Sequence, residues 1–85
     1  MSCYHLMAVL INHRVENAVQ VQQALTKHGC IIKVRLGLHE TDNVCADDGL
    51  VLLQLGGSEE ERKALENELN AIPGVKAKSL EICSD

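Results

Sequence analysis

The chain contains no Phe and no Trp, and Tyr4 is its only aromatic residue. Any core must therefore be aliphatic, and functions that need rows of stacked rings, such as platforms for single-stranded nucleic acid, are not expected. Positive charge is also scarce. Eight Lys and Arg against twelve Asp and Glu leave a formal charge of −4, the wrong sign for a surface that neutralises a phosphate backbone. No apolar run approaches the roughly 20 residues of a membrane-spanning helix. The N-terminal stretch MSCYHLMAVLI has neither a basic leading segment nor a small-residue cleavage site. A secretion signal is therefore not expected, and a cytoplasmic location is. Direct partners among nucleic acids and membranes are not expected either.

Eighty-five residues make one domain, spanning 1–85 and near the lower end of what folds alone. The four cysteines, Cys3, Cys30, Cys45 and Cys83, contain no CxxC pair, and free thiols are the expected state in a chain without a signal.

The stretch Gly29 to Glu40, GCIIKVRLGLHE, has apolar even positions (Ile32, Val34, Leu36, Leu38) and different odd ones (Lys33, Arg35, Gly37, His39). That alternation predicts a strand over 30–39 with its apolar face on a core and a cation, a glycine and an imidazole on the other. Before it, residues 5–11 (HLMAVLI) predict a strand apolar on both faces. Asn12 or Asn17 then caps a helix whose Ala18, Val21, Ala24, Leu25 and His28 recur at helical spacing, and Gly29 suits the left-handed position that ends it. Residues 40–49 are a polar loop holding Asp42, Cys45, Asp47 and Asp48, and 50–55 (LVLLQL) predict a third strand. Ser58 followed by Glu61 forms a capping box, with three glutamates at the positive end of the helix dipole. Ala64, Leu65, Leu69 and Ile72 mark that helix's buried stripe, and Glu59–Lys63 and Arg62–Glu66 pair on its wet side. Pro73-Gly74 stops the helix, and 75–82 form the last strand.

The order βαββαβ predicts a four-stranded antiparallel sheet in the order 4-1-3-2 with two helices on one face, a ferredoxin-like α+β architecture. The two central strands are apolar at both parities, whereas a one-sided antiparallel sheet should alternate. A patch of that size is unusual on a soluble monomer, so the open face is expected to be covered by a second copy in a dimer or tetramer. The same topology lays the start of the first strand beside the end of the last, where the Cys3 and Cys83 thiols can approach; frayed ends are the alternative.

Over about residues 5–82 the chain resembles the small ACT-like, ferredoxin-fold proteins named as iron-only hydrogenase system regulators. The resemblance rests on Arg35-Leu36-Gly37, on the strand from Gly49 to Leu55, and on Ile72-Pro73-Gly74-Val75. It implies regulation linked to hydrogenase genes and no particular activity. Typical ACT domains bind amino acids at the turn after the first strand, using a glycine there. Here residues 11–16 (INHRVE) have none, which leaves Arg14 as the group able to meet a ligand carboxylate. The chain is also similar to the sensor domain of nickel-responsive repressors. That similarity implies metal ligands at His39 and Cys45, with Gly37 where a third histidine would stand and with His28, supplied by another subunit, or Cys30 as a further ligand; imidazole and thiolate together suit Zn or Ni.

Catalysis finds no support, because no nucleophile elbow or glycine-rich phosphate loop is present. Gly56-Gly57-Ser58 reads as a capping turn, Asp47-Asp48 as a solvated pair, and Lys76 and Lys78 as guards of an edge strand. The expected function is a small oligomeric regulatory or ligand-sensing module that acts by binding, needs no cofactor, and carries its ligand-binding or interface residues at Arg35, Gly37, His39 and Arg14. The alternative is a metal-sensing or metal-carrying protein using His39, Cys45 and His28.

Overall fold

Alternation and capping set the elements of the computed structural model, which describes residues 2–12, 14–38 and 49–84, with the side chains of 14–17 and 38 outside the description. Strand β1 (Cys3–Ile11) leads to helix α1 (Arg14–Lys27), a 3-10 turn at Gly29–Ile31 and strand β2 (Ile32–Leu38). Strand β3 (Gly49–Leu55), helix α2 (Glu59–Asn70) and strand β4 (Val75–Cys83) complete the chain. The sheet order is β2-β3-β1-β4 and every neighbouring pair is antiparallel, so the βαββαβ ferredoxin-like reading holds.

The core is aliphatic, as the missing aromatics require. Met7, Val9, Ile11, Leu53, Leu55, Val75 and Ala77 project from one side of the sheet and meet Val21, Ala24 and Leu25 of α1 and Leu65 and Leu69 of α2. Every strand residue in this set is odd-numbered, so both helices lie on one face and the even positions of β1, β3 and β4 point to the other.

Helix α2 starts as its sequence predicts. The Ser58 hydroxyl accepts from the Glu61 N–H at 3.1 Å, and the Glu61 carboxylate accepts from the Ser58 N–H at 3.0 Å. Gly57 just before it adopts φ +73°, and a Cβ built there would lie 2.5 Å from Ile31 Cγ2, so both backbone and space call for glycine. At the other end, Asn70 spans the outer edge of β4. Its amide donates to the Ala77 carbonyl at 3.1 Å and its carbonyl accepts from the Ala77 N–H at 2.8 Å. A side-chain amide thus stands where another strand would pair.

Several local expectations are corrected. Ala18 and Ala64 are exposed, because Val21, Leu25, Leu65 and Leu69 already fill the helix–sheet space. Asn17 lies inside α1 and cannot cap it. Gly29 does not take a left-handed conformation; it opens the 3-10 turn, in which the Ile31 N–H donates to the His28 carbonyl. The expected Arg62–Glu66 pair is not among the ion pairs of the described residues; Arg62 donates to the Gly57 carbonyl and Glu66 Oε1 accepts from Ser79 instead.

The largest correction concerns β2. Ile32 pairs with Leu55 but Val34 pairs with Gln54, so Lys33 is the extra residue of a β-bulge. Ile32 packs against the core, whereas beyond the bulge Val34 and Leu36 stand 53% and 52% exposed on the face away from the helices. One inserted residue moves the apolar set to the opposite side of the sheet.

Candidate functional site

The open face of the sheet is the most unusual surface among the described residues. Tyr4, Leu10, Val34, Leu36, Leu52, Leu80 and Ile82 are each between 38% and 55% exposed, and all point to it. Register makes them one patch. Leu36 sits opposite Leu52, which sits opposite Ala8; Leu6 sits opposite Leu80, and Tyr4 opposite Ile82. This surface holds a concavity of about 420 Å³, with Leu6, Ala8, Val34, Leu36, Leu52 and Leu80 among its lining residues. Lys76 and Lys78 stand on this same face, opposite Leu10 and Ala8. They border the patch, while the outward backbone of β4 at Ala77 is guarded by Asn70.

On the other side of the sheet a second, polar cleft runs between α2 and the β1–β4 pair. His5, Arg62, Lys63, Glu66, Ser79 and Glu81 contribute to its walls. The Ser79 hydroxyl donates to Glu66 Oε1 at 2.7 Å, and His5 Nδ1 lies 3.3 Å from Glu81 Oε2. Beyond this pair, Cys3 and Cys83 are joined by a disulfide across the end of the sheet. The approach predicted from topology is therefore realised, and the expectation of four free thiols is corrected for these two. The cause is the ladder itself, which places Cys3 directly opposite Cys83. Cys30 is free and exposed, and Cys45 lies outside the described residues.

Two carboxyls are held below the ordinary glutamate range. For Glu61 the main cause is the hydrogen bond from the Ser58 backbone N–H, followed by the Ser58 hydroxyl. For Glu68 it is the hydrogen bond from His28, whose Nε2 lies 3.0 Å from Glu68 Oε1, with Lys27 Nζ adding its charge from 3.3 Å. These contacts tie the end of α1 to α2.

Of the residues singled out from the sequence, Arg35 and Gly37 lie exposed on β2, with their side of the strand facing the helix layer at the sheet's free edge. A Cβ added at Gly37 would meet nothing within 4 Å, so this edge is open space. His28 is engaged by Glu68. His39 and Cys45 fall outside the described residues, as does the side chain of Arg14. Sequence reading missed the His5–Glu81 pair. The signal was present, because a Cys3–Cys83 register places His5 opposite Glu81 two residues further along each strand. No helix among the described residues is long and apolar enough to cross a membrane.

No protein-family model matches the chain, and no curated protein is significantly similar to it in sequence. Solved structures do match. An uncharacterised protein of Thermotoga maritima superposes with a TM-score of 0.82 at 19% identity, covering 96% of this chain and all of that one. A candidate PII-like signalling protein of Thermus thermophilus gives 0.61 at 12% identity, over 94% of this chain and 87% of its own. The nitrogen regulatory PII-like protein CPII of Thiomonas intermedia K12, bound to ADP, AMP and bicarbonate, gives 0.52 at 12% identity, over 95% and 89%. At these identities the likeness establishes a shared ferredoxin-like fold.

Proposed function

We propose that this protein is a small self-associating regulatory module that senses a ligand by binding it and performs no chemistry of its own. The observation that carries the reading is the open sheet face, where seven large apolar side chains stand half-exposed in one patch. Monomers seldom expose apolar areas of that extent, so the face is read as a subunit interface, in a dimer or tetramer. Sensing is supported by the fold neighbours, among them a PII-like protein bound to ADP, AMP and bicarbonate. In this chain the ligand site is placed along the free edge of β2, where Arg35 is exposed and Gly37 leaves room beside it. His39 and Arg14, singled out from the sequence, join the proposed set; neither side chain is among those described. An exposed guanidinium suits an anionic ligand.

The resemblance to iron-only hydrogenase system regulators gives the finer form of the proposal, a regulator linked to that system. With a formal charge of −4 and no aromatic platform, it would act on gene expression through a protein partner. The test is calorimetric titration of the assembled protein with AMP and ADP, in wild type and in Arg35→Ala. Saturable binding of either nucleotide that is lost in the variant supports this site. Failure of both nucleotides to bind would remove the nucleotide as the sensed ligand.

A further inference from the structure

Four side chains with metal-ligating chemistry occupy one square at the end of the β1–β4 ladder. Cys3 faces Cys83, and His5 faces Glu81. The Ser84 N–H donates to the Ser2 carbonyl at 2.8 Å, which makes Ser2–Ser84 a hydrogen-bonded pair. Cys3–Cys83, one step inward, is then a non-hydrogen-bonded pair, and so is His5–Glu81 two steps further; side chains approach most closely at such positions. All four share the parity of Met7 and Ala77, so they face the helix side of the sheet, at the end of the polar cleft. The Cys3 and Cys83 sulfurs and a Glu81 carboxylate oxygen lie within 4.8 Å of one another. Glu81 Oε1 lies 3.8 Å from Cys83 Sγ, and Oε2 lies 3.3 Å from His5 Nδ1.

We propose that this square is a redox-gated metal site. With the disulfide closed, the two sulfurs are bonded to each other and offer no thiolate. A low-molecular-weight dithiol opens it. The dithiol gives two electrons and two protons to the S–S bond, which breaks into two thiols, and is itself oxidised to a disulfide. A divalent ion of the zinc class then replaces the two thiol protons, which pass to solvent, and two Sγ–metal bonds form. Glu81 and the neutral imidazole of His5 complete four donors, two sulfur, one oxygen and one nitrogen. This donor set suits tetrahedral zinc, which binds such ligands at roughly 2.0–2.3 Å; His5, which lies against Glu81 and outside the Cys3–Glu81–Cys83 group, would turn toward the sulfurs as the ion binds. Hard cations such as Ca²⁺ or Mg²⁺, which prefer all-oxygen ligands, do not fit. A low-molecular-weight disulfide closes it again: it takes two electrons from the two thiolates and two protons from solvent, is reduced to two thiols, and the S–S bond re-forms as both Sγ–metal bonds break and the ion leaves. Either the S–S bond or the metal clamps β1 to β4, and the reduced, metal-free protein has neither.

The test uses the full chain carrying Cys30→Ser and Cys45→Ser, so that Cys3 and Cys83 are its only thiols, and cobalt(II) as a coloured probe under anaerobic conditions. The reduced protein is expected to take up one ion per chain with a thiolate-to-metal charge-transfer band and tetrahedral ligand-field bands, both abolished by added zinc. The oxidised protein is expected to show neither band. His5→Ala and Glu81→Ala should each weaken binding at least about tenfold. Cobalt bound to the reduced protein without the charge-transfer band, or no saturable uptake, would overturn the proposal. A second measurement avoids variants altogether. In reduced wild-type protein, zinc should slow alkylation of Cys3 and Cys83 at least about tenfold, read by peptide mass spectrometry; equal rates with and without zinc would also overturn it.

Discussion

Opening the Cys3–Cys83 disulfide is expected to remove a large part of this protein's stability. The two residues are separated by 80 positions, so the bond closes nearly the whole chain into a loop. In the chain-entropy model, a loop of that length restricts the unfolded ensemble by about 4.5 kcal/mol at 25 °C. Total stability for a domain of this size is roughly 4–13 kcal/mol. Cys3 is exposed and Cys83 only half-buried, so lost packing adds little and the loop term carries the effect. The fold itself should survive, because the ladder from Cys3 to Ile11 against Val75 to Cys83 does not depend on the bond. The assay is urea unfolding followed by circular dichroism, with a chelator present, for oxidised wild type, reduced wild type and Cys3→Ser/Cys83→Ser. The reduced protein and the double variant should agree with each other, fall about 3–5 kcal/mol below the oxidised protein, and show a steeper denaturant slope because their unfolded chains are more open. A difference below about 1 kcal/mol would refute the loop-entropy reasoning.

Other outcomes follow from single contacts. Asn70→Ala leaves the Ala77 N–H and carbonyl at the β4 edge without their partner, and thermal unfolding should show a loss of about 1–3 kcal/mol. It should also raise the tendency to aggregate, measured by turbidity on heating, since the edge is uncovered. Gly57→Ala places a Cβ against Ile31 at a positive φ, and unfolding should report a cost of at least about 1–2 kcal/mol; an unchanged midpoint would mean the turn can relax. Glu61 and Glu68 have folded-state pKa values below their unfolded ones, so their contribution is present at neutral pH and is lost as pH falls through and below the ordinary glutamate range of about 4.3. Melting temperature should therefore drop between about pH 5 and pH 3, and Glu61→Gln/Glu68→Gln should flatten that drop.

The architecture was legible from pattern alone. Two helical stripes, four apolar runs and one capping box leave few topologies, and the antiparallel β1–β4 pairing even placed Cys3 beside Cys83. What escaped was local register. The alternation from Ile32 to Leu38 reads as one clean face, but the bulge at Lys33 splits it, sending Ile32 to the core and Val34 and Leu36 to the open side. A bulge is a backbone event without a side-chain period of its own, so periodicity cannot reveal it. The same limit explains Ala18 and Ala64, where helical spacing is satisfied but larger neighbours already fill the space. His5 and Glu81 escaped for another reason. Each is an ordinary polar residue in its own strand, and they become a pair only through the register of strands from opposite ends of the chain.

That bulge enlarges the apolar face on which the functional reading rests, and the most direct test is mass by light scattering. Fully burying one aliphatic side chain contributes about 1.5–3 kcal/mol, and Leu10, Val34, Leu36, Leu52, Leu80 and Ile82 each have roughly half of that still to gain. Summed over two copies, this is roughly 9–18 kcal/mol, which leaves the surplus of about 8 kcal/mol that micromolar association needs when the cost of association lies toward the low end of its roughly 4–15 kcal/mol range. At micromolar concentration, wild-type protein should therefore scatter as a whole multiple of 9.3 kDa, two or greater, and Leu36→Lys/Leu52→Lys should scatter as a folded monomer. A wild-type monomer of 9.3 kDa, or a charged variant that stays assembled, would contradict the assignment of this face as the subunit interface.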